Sequence, residues 1–307
     1  MRVLVLGGTR FIGRAIVDAL LPRHEVTVLN RGHQPLWDER IVQLLADRGE
    51  LGELASALTE PFDCVVDVSG TEPAYVRNVL YVLDKTPYVF VSSAAVYERA
   101  KMRPPFGEDD PGGGDPIWGG YGEAKAACEQ TLRHTLGDEV TILRPPYVYG
   151  PRNNEQREQF LWARILDRQP VFVPGDGSTT IQFCHVDALS RAVVAVCDGE
   201  LMAGTYNVGE SRTYTFSDYL RLLGTVAGVE PVLCEVTNKS VPARSYFPFR
   251  PADLTLQVGK LAATGVVPDI PLADGLAETF AWFDENGGFE YTPTPQEHLW
   301  RHRRTGI

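Results

Sequence analysis

An α/β protein built on a doubly wound parallel sheet is what this sequence predicts, and three observations predict it. Apolar runs of strand length alternate with amphipathic, helix-length segments through the first 150 residues. The runs (RVLVL, EVTVLN, CVVDVS, YVFVS) are nearly continuous rather than alternating, as expected of parallel strands covered on both faces. A glycine turn, GGTRFIG at Gly7 to Gly13, joins the first run to the first amphipathic segment.

The elements follow in order. Arg2 to Leu6 reads as a buried strand, and Phe11 to Leu21 as a helix with Ile12, Ala15, Ile16 and Ala19 on one face. Glu25 to Asn30 is a second strand and Ile41 to Ala46 a third, followed by a helix over Leu51 to Leu58. Cys64 to Ser69 is a fourth strand, Ala74 to Leu83 a helix, and Tyr88 to Ser92 a fifth strand. Tyr121 to Leu136 is a strong helix and Val140 to Leu143 a sixth strand. Glu98 to Gly120 interrupts this rhythm with a Pro- and Gly-rich stretch, and a long loop in a compact domain is usually functional or disordered. Beyond Gly150 the pattern loosens. It keeps a helix near Glu158 to Leu166, a strand at Val171 to Val173, a turn at Pro174 to Gly177, and a helix at Ala188 to Cys197 that returns to the first domain.

Composition narrows the function classes. The 307 residues are 44% hydrophobic and 22% charged, an ordinary globular balance. The net charge of -11 argues against a nucleic-acid partner, because such binding rests on Lys and Arg. No apolar run approaches the roughly 20 residues that span a bilayer, and the first run, Val3 to Leu6, ends in glycines rather than continuing as a signal peptide. The five cysteines are scattered without C-x-x-C spacing, so they read as core thiols of a cytoplasmic protein rather than a disulfide framework or zinc site. His298 and His302 have helical spacing but no third ligand near them, and they flank the start of a basic tail, RHRRTGI. No metal is expected.

The glycine turn follows a strand and opens a helix, the context that a dinucleotide site requires. Gly7 and Gly8 let the backbone turn and approach a pyrophosphate on the helix N-terminus, and Gly13 allows close packing of helix on strand. The loop as a whole, Gly7, Gly8, Thr9, Arg10, Phe11, Ile12 and Gly13, is the predicted cofactor cradle of a Rossmann-type domain. Asn30 ends the second strand where an NAD site often carries an Asp or Glu. Asn30 does not repel a 2′-phosphate, and Arg31 and Arg10 add two guanidinium groups, so NADP is expected in preference to NAD.

Tyr121 and Lys125, in YGEAK, stand four apart on one helix face. An ammonium beside a phenol favours the phenolate and lowers the tyrosine pKa from about 10. Tyr121 can then take or return a hydroxyl proton as hydride moves, with a serine at a strand end bonding the reacting oxygen.

These segments resemble the extended short-chain dehydrogenase/reductase superfamily, of the nucleotide-sugar epimerase and dehydratase type. The resemblance runs through GGTRFIG, SSAAVY, YGEAK, LRPPYVYGPRN, GDGSTTIQFCHVDAL, GTYNVG and FRPADLTLQVGKLAATG. It implies that Ser93 is the catalytic hydroxyl, beside the Tyr121 and Lys125 pair. It implies further that Asp47 contacts adenine, that Ser69 and Gly70 lie beside the cofactor, that Tyr121 and Lys125 also meet the cofactor, Lys125 holding its ribose, and that Pro145 flanks the nicotinamide. The expected architecture is a dinucleotide-binding domain at 1–150, joined by 183–203, and a smaller C-terminal α/β substrate lobe at 151–182 and 204–307. Homodimers are common in the superfamily, through the Tyr–Lys helix and its neighbour.

The departures from the pattern are informative. Ala94 and Ala95 stand where 4,6-dehydratases carry Asp and Glu, so that elimination is not expected. Tyr147 replaces an Asn common in UDP-sugar enzymes, and Ile181 replaces a diphosphate-binding Arg, whereas Arg250 matches a second one. GGTRF, Tyr147 and FPFR are similar to a branch typified by chloroplast stem-loop-binding proteins, some of which are associated with RNA. Arg152, Asn153 and Asn154 open a loop that meets an anionic or polyhydroxyl substrate, caps a helix or lies on the surface, and His185 reads as a loop-holding residue. Trp118 caps the substrate or packs on a sheet edge, and Phe247 and Phe249 read as core. The expected function is an NAD(P)-dependent oxidoreductase or epimerase acting on a secondary alcohol or ketone of a small, sugar-like substrate. The alternative is a non-catalytic, nucleotide-sensing or RNA-associated scaffold, against which the retained Ser93, Tyr121 and Lys125 count.

Overall fold

The structure, a computed structural model, describes residues 1–304, with side chains through Trp300. The side chain of His302 and the last three residues of the basic tail lie outside the described residues. In chain order the first elements are β1 (Arg2–Leu6), α1 (Phe11–Leu20), β2 (Glu25–Asn30), β3 (Val42–Leu45), α2 (Leu51–Ala57), β4 (Cys64–Asp67), α3 (Pro73–Val82) and β5 (Tyr88–Val91). They are followed by α4 (Gly120–Leu136), β6 (Val140–Arg144), β7 (Tyr147–Tyr149), α5 (Glu158–Leu166), β8 (Val171–Pro174), β9 (Thr180–Ile181), β10 (Phe183–His185) and α6 (Val186–Cys197). The last are β11 (Thr205–Asn207), β12 (Tyr214–Thr215), α7 (Phe216–Ala227), β13 (Leu233–Val236), α8 (Gly259–Ala262), α9 (Leu272–Glu285) and α10 (Pro295–Arg304).

The chain divides into two compact units. The larger comprises Met1–Val148, Phe183–Ser211 and Thr255–Ile270. It therefore takes in 204–211 and 255–270, which the sequence reading places in the smaller lobe. Its centre is a seven-stranded sheet in the order β11-β6-β5-β4-β1-β2-β3, parallel at every pairing. The two-residue period of β1 splits its continuous apolar run between two cores. Val3 and Val5 join α1 and α6 through Ile16, Val17, Leu20, Leu189 and Val193. Leu4 and Leu6 join α2, α3 and α4 through Leu54, Val76, Val79 and Leu132. A run buried on both faces can do this only in a sheet covered on both sides.

Several strands differ from the sequence reading: β4 ends at Asp67 rather than Ser69 and β5 at Val91 rather than Ser92, and the short β7, β9, β10, β12 and β13 are not in it. β3 is shorter than Ile41 to Ala46, and it is the sheet edge, with Val42 57% and Leu45 63% exposed. β11 has no counterpart in the sequence reading. Three residues carry too little periodicity to read, and one of them, Asn207, is a fully buried amide. That amide holds the long loop: its Nδ2 donates to Phe106 O at 2.9 Å and Gln257 O at 3.1 Å, and its Oδ1 accepts from Tyr97 OH at 2.6 Å. Phe106 stacks on Tyr97 at 5.0 Å, and its N–H donates to Thr255 O at 2.9 Å. The loop is thus pinned by a buried polar network, which a low dielectric makes costly to break.

The smaller unit comprises Tyr149–Gln182, Arg212–Leu254 and the chain from Pro271. α5 and α7 meet through Trp162, whose Nε1 donates to Leu223 O at 3.2 Å. Phe216, Phe247, Phe249 and Tyr219 form an aromatic core, so the FPFR phenylalanines are core residues. Arg164 on α5 and Glu297 on α10 form a buried ion pair at 2.8 Å.

Candidate active site

The glycine turn is held by two close approaches. At Gly7 (φ +88°) an added Cβ would stand 2.6 Å from Ser69 Cβ; at Gly13 it would stand 2.1 Å from Gly7 O. Arg10 needs no such freedom: it is the extended N-cap of α1 (φ -132°), and its side chain is exposed. The middle position of this turn therefore accepts a charged residue, and it places a guanidinium beside a helix N-terminus.

Gly7, Thr9, Arg10, Asn30, Arg31, Asp47 and Ser69 line one cavity of about 430 Å³, with Arg48, Thr71 and Tyr75. Asn30 is fixed by its Oδ1, which accepts from Gly32 N at 2.7 Å and Gln43 Nε2 at 3.1 Å; its Nδ2 is buried without a partner among the described residues. Arg31 stands 4.0 Å from Asp47, both substantially exposed. A volume in the range of small-molecule sites, the glycine cradle and an orphaned amide donor in the wall together fit the adenosine half of a dinucleotide.

Arg48 is the residue that the sequence reading missed. Its Nη1 and Nη2 donate to Asp67 Oδ1 and Oδ2 at 2.8 and 2.6 Å, and Nη1 also reaches Ser69 Oγ at 3.1 Å. Tyr88 OH donates to Asp67 Oδ2 at 2.7 Å. Burial pushes the Asp67 carboxyl up, but the Arg48 guanidinium and these hydrogen bonds overcome it and hold the group below the ordinary carboxylate range. The signal was the Asp in CVVDVS: a charge inside a buried parallel strand requires a partner.

Lys125 projects from α4 and is 2% exposed; its Nζ donates to Val91 O at 2.7 Å and lies 4.5 Å from the Phe90 ring centroid. Burial pulls its pKa down to about 8. Tyr121, one turn earlier, is 45% exposed. α4 approaches the turn that follows β5 closely, since a Cβ on Gly122 would stand 2.3 Å from Ala95 O. The two adjacent serines behave differently. Ser92 is buried and donates to Glu129 Oε1 at 2.5 Å. Ser93 is partly exposed, and its Oγ accepts from Ala95 N at 3.2 Å, which leaves its own proton to donate. Glu129 is in turn held by Arg144 at 2.6 Å. Ala94 N donates to Pro145 O at 2.9 Å, and two residues on the buried Tyr147 packs edge-on against Trp118 at 6.2 Å. Gly70 sits against Asp67 and Phe90.

Of the other residues singled out from the sequence, four lie in the smaller unit. Arg152 (φ +63°) is exposed near the Trp282 ring, and Arg250 is half-buried. Asn153 is buried, with Nδ2 donating to Glu158 Oε2 at 2.8 Å and Oδ1 accepting from Glu155 N at 2.9 Å, so here it holds its loop. Ile181 is fully buried in β9, where a guanidinium would lack solvent. In the larger unit, His185 caps α6, its Nδ1 accepting from Asp187 N at 3.3 Å.

Residues 3–209 match the family model described as the NAD dependent epimerase/dehydratase family. Among curated proteins, the chain is 28% identical over 301 residues to the chloroplast stem-loop binding protein of 41 kDa b of Arabidopsis thaliana, covering 91% of this chain and 78% of that protein. It is 29% identical to a probable GDP-L-fucose synthase 1 of Oryza sativa subsp. japonica, covering 93% and 92%. Among solved structures, a dTDP-glucose 4,6-dehydratase of Bacillus anthracis in complex with NAD superposes with a TM-score of 0.78 at 18% identity, covering 94% and 98% of the two chains. The structural likeness shows the fold.

Proposed function

The chain belongs to the NAD dependent epimerase/dehydratase family, and from that membership we propose an NAD(P)-dependent oxidoreductase or epimerase. Its substrate is a secondary alcohol or ketone of a sugar-like molecule, of the nucleotide-linked class for which several relatives are named. The observation that carries this reading is the close approach of α4, at Gly122, to the turn that follows β5, on the same carboxyl-end side of the parallel strands as the glycine turn after β1. It sets the segments carrying Ser93, Tyr121 and Lys125 against one another.

The nicotinamide ring, when bound, supplies the hydride acceptor or donor. Tyr121 exchanges a proton with the substrate oxygen, the Lys125 ammonium favours the phenolate, and Ser93 donates a hydrogen bond to that oxygen. Ala94 and Ala95 have no proton to transfer, which speaks against 4,6-dehydration. Gly7, Gly13 and the first turn of α1 would receive the pyrophosphate. The exposed Arg10 and Arg31 and the uncharged Asn30 support NADP over NAD, with Asp47 offsetting part of that charge. The RNA-associated alternative draws on the name of the Arabidopsis relative; the retained hydroxyl, phenol and ammonium and the net charge of -11 favour the enzyme.

Calorimetric titration of nucleotide-free protein with NADP and NAD tests this. At least tenfold tighter NADP binding, about 1.4 kcal/mol, is expected. Tighter NAD would make Arg10 and Arg31 surface charges and point to an epimerase that recycles its cofactor. Binding of neither would sink the enzyme reading and leave the scaffold.

A further inference from the structure

Of the buried carboxylates in the larger unit that the reaction as derived does not use, Asp67 has the lowest exposure. Asp67 is fully buried at the end of β4, with Arg48, Tyr88 and the Ser69 N–H (3.1 Å) donating to it. In the sheet it is the register partner of Phe90 on β5, and the Phe90 ring carries Lys125 Nζ 4.5 Å from its centroid. A Cβ on Gly70 would stand 2.7 Å from both Asp67 Oδ2 and Phe90 Cε2, so carboxylate and ring close on a single glycine. The ammonium thus stands over the ring whose edge meets the carboxylate's side of Gly70.

We propose that Asp67 is a positioning residue for the Tyr121–Lys125 pair: clamped by Arg48 and Tyr88, it is the buried counter-anion that keeps the Lys125 ammonium charged. The groups around Lys125 are Asp67 on β4, Arg48 ahead of α2, and Cys128 and Glu129 on α4. Cys128 is a neutral thiol, pushed up to about 11 by burial, and Glu129 is committed to Arg144 and Ser92. Burial lowers the lysine most, and Asp67 opposes it by more than Arg48 adds.

The inference rests on the reading of Lys125 as part of an acid/base pair, but its test needs neither substrate nor cofactor, so either can fail alone. The sequence has five lysines: Lys85, Lys101, Lys125, Lys239 and Lys260. Labelling their ε-carbons with 13C gives a resolvable NMR titration in which Lys125 has a midpoint near 8. Asp67→Asn keeps the shape and removes the charge. It is expected to lower the Lys125 midpoint by about one pH unit or more, at least a tenfold change in its ionisation constant. Tyr88→Phe loosens the same cluster without removing either charge and is expected to leave the midpoint in place. If Asp67→Asn does not fold, the double variant Arg48→Met/Asp67→Leu removes the pair as a unit, a change that buried ion pairs often tolerate, and a smaller downward shift is expected. A Lys125 midpoint unmoved in the folded variant that lacks Asp67 would overturn the proposal, as would an equal shift in Tyr88→Phe.

Discussion

Lys125 carries its charge where burial disfavours it, with a pKa drawn from 10.5 to about 8. The folded value lies below the unfolded one, so the unfolded chain binds more protons between those two pH values. The penalty of burying the ammonium is therefore full below about 8 and is relieved as pH rises toward 10.5. Lys125→Met is expected to stabilise the protein at pH 7 by about 1–3 kcal/mol while abolishing turnover. Urea midpoints at pH 7 and pH 10 check this: the gain must shrink at the higher pH. Tyr121→Phe is expected to cut kcat at least about 100-fold with cofactor affinity unchanged, measured by calorimetry beside steady-state kinetics; full activity would refute the assigned proton path. The Tyr-x-x-x-Lys spacing was legible because four residues make one helical face. The commitment of Ser92 to Glu129 was not, because its partner lies 37 residues away.

At the scale of elements, α4 is placed by the core packing of Cys128, Leu132 and Leu136 and, at its first turn, by a backbone contact. Gly122→Ala would drive a Cβ to 2.3 Å from Ala95 O, a backbone atom that cannot rotate away. A loss of about 1–3 kcal/mol and a fall in activity of more than tenfold are expected. Gly120→Ala, where nothing lies within 4 Å, is the control and is expected to be neutral or slightly stabilising. Thermal melts of both variants distinguish a packing requirement from helix propensity. The sheet-and-helix alternation was legible because continuous apolar runs can be buried only between two layers. The seventh strand was not, because it is short and centred on polar contacts.

Across the whole molecule, buried charges give opposite pH signs. Asp67 has a folded pKa below its unfolded value, so its stabilisation is present above the unfolded value and lost as pH falls through the folded one. Glu158, in the smaller unit, is the reverse. Burial raises it despite hydrogen bonds from Asn153 at 2.8 Å and Tyr219 at 3.2 Å, so it costs stability at neutral pH and ceases to do so as pH falls through its unfolded value. Glu158→Gln keeps the Asn153 contact through its one oxygen, with its NH2 donating to the Tyr219 hydroxyl in place of accepting from it, and is expected to stabilise by about 1 kcal/mol at pH 7, with the gain fading toward pH 4. A gain independent of pH would refute the assignment.

The sequence by itself determined the α/β class, the glycine turn, the Tyr-x-x-x-Lys spacing and the acidic balance, because each is written in near neighbours or in composition. Tertiary structure alone decided that Arg48 and Asp67 pair, that Asn153 faces inward, and that residues 255–270 join the larger unit. Hydrogen bonds and burial at those places join segments that only the folded topology brings together, and no local period records them.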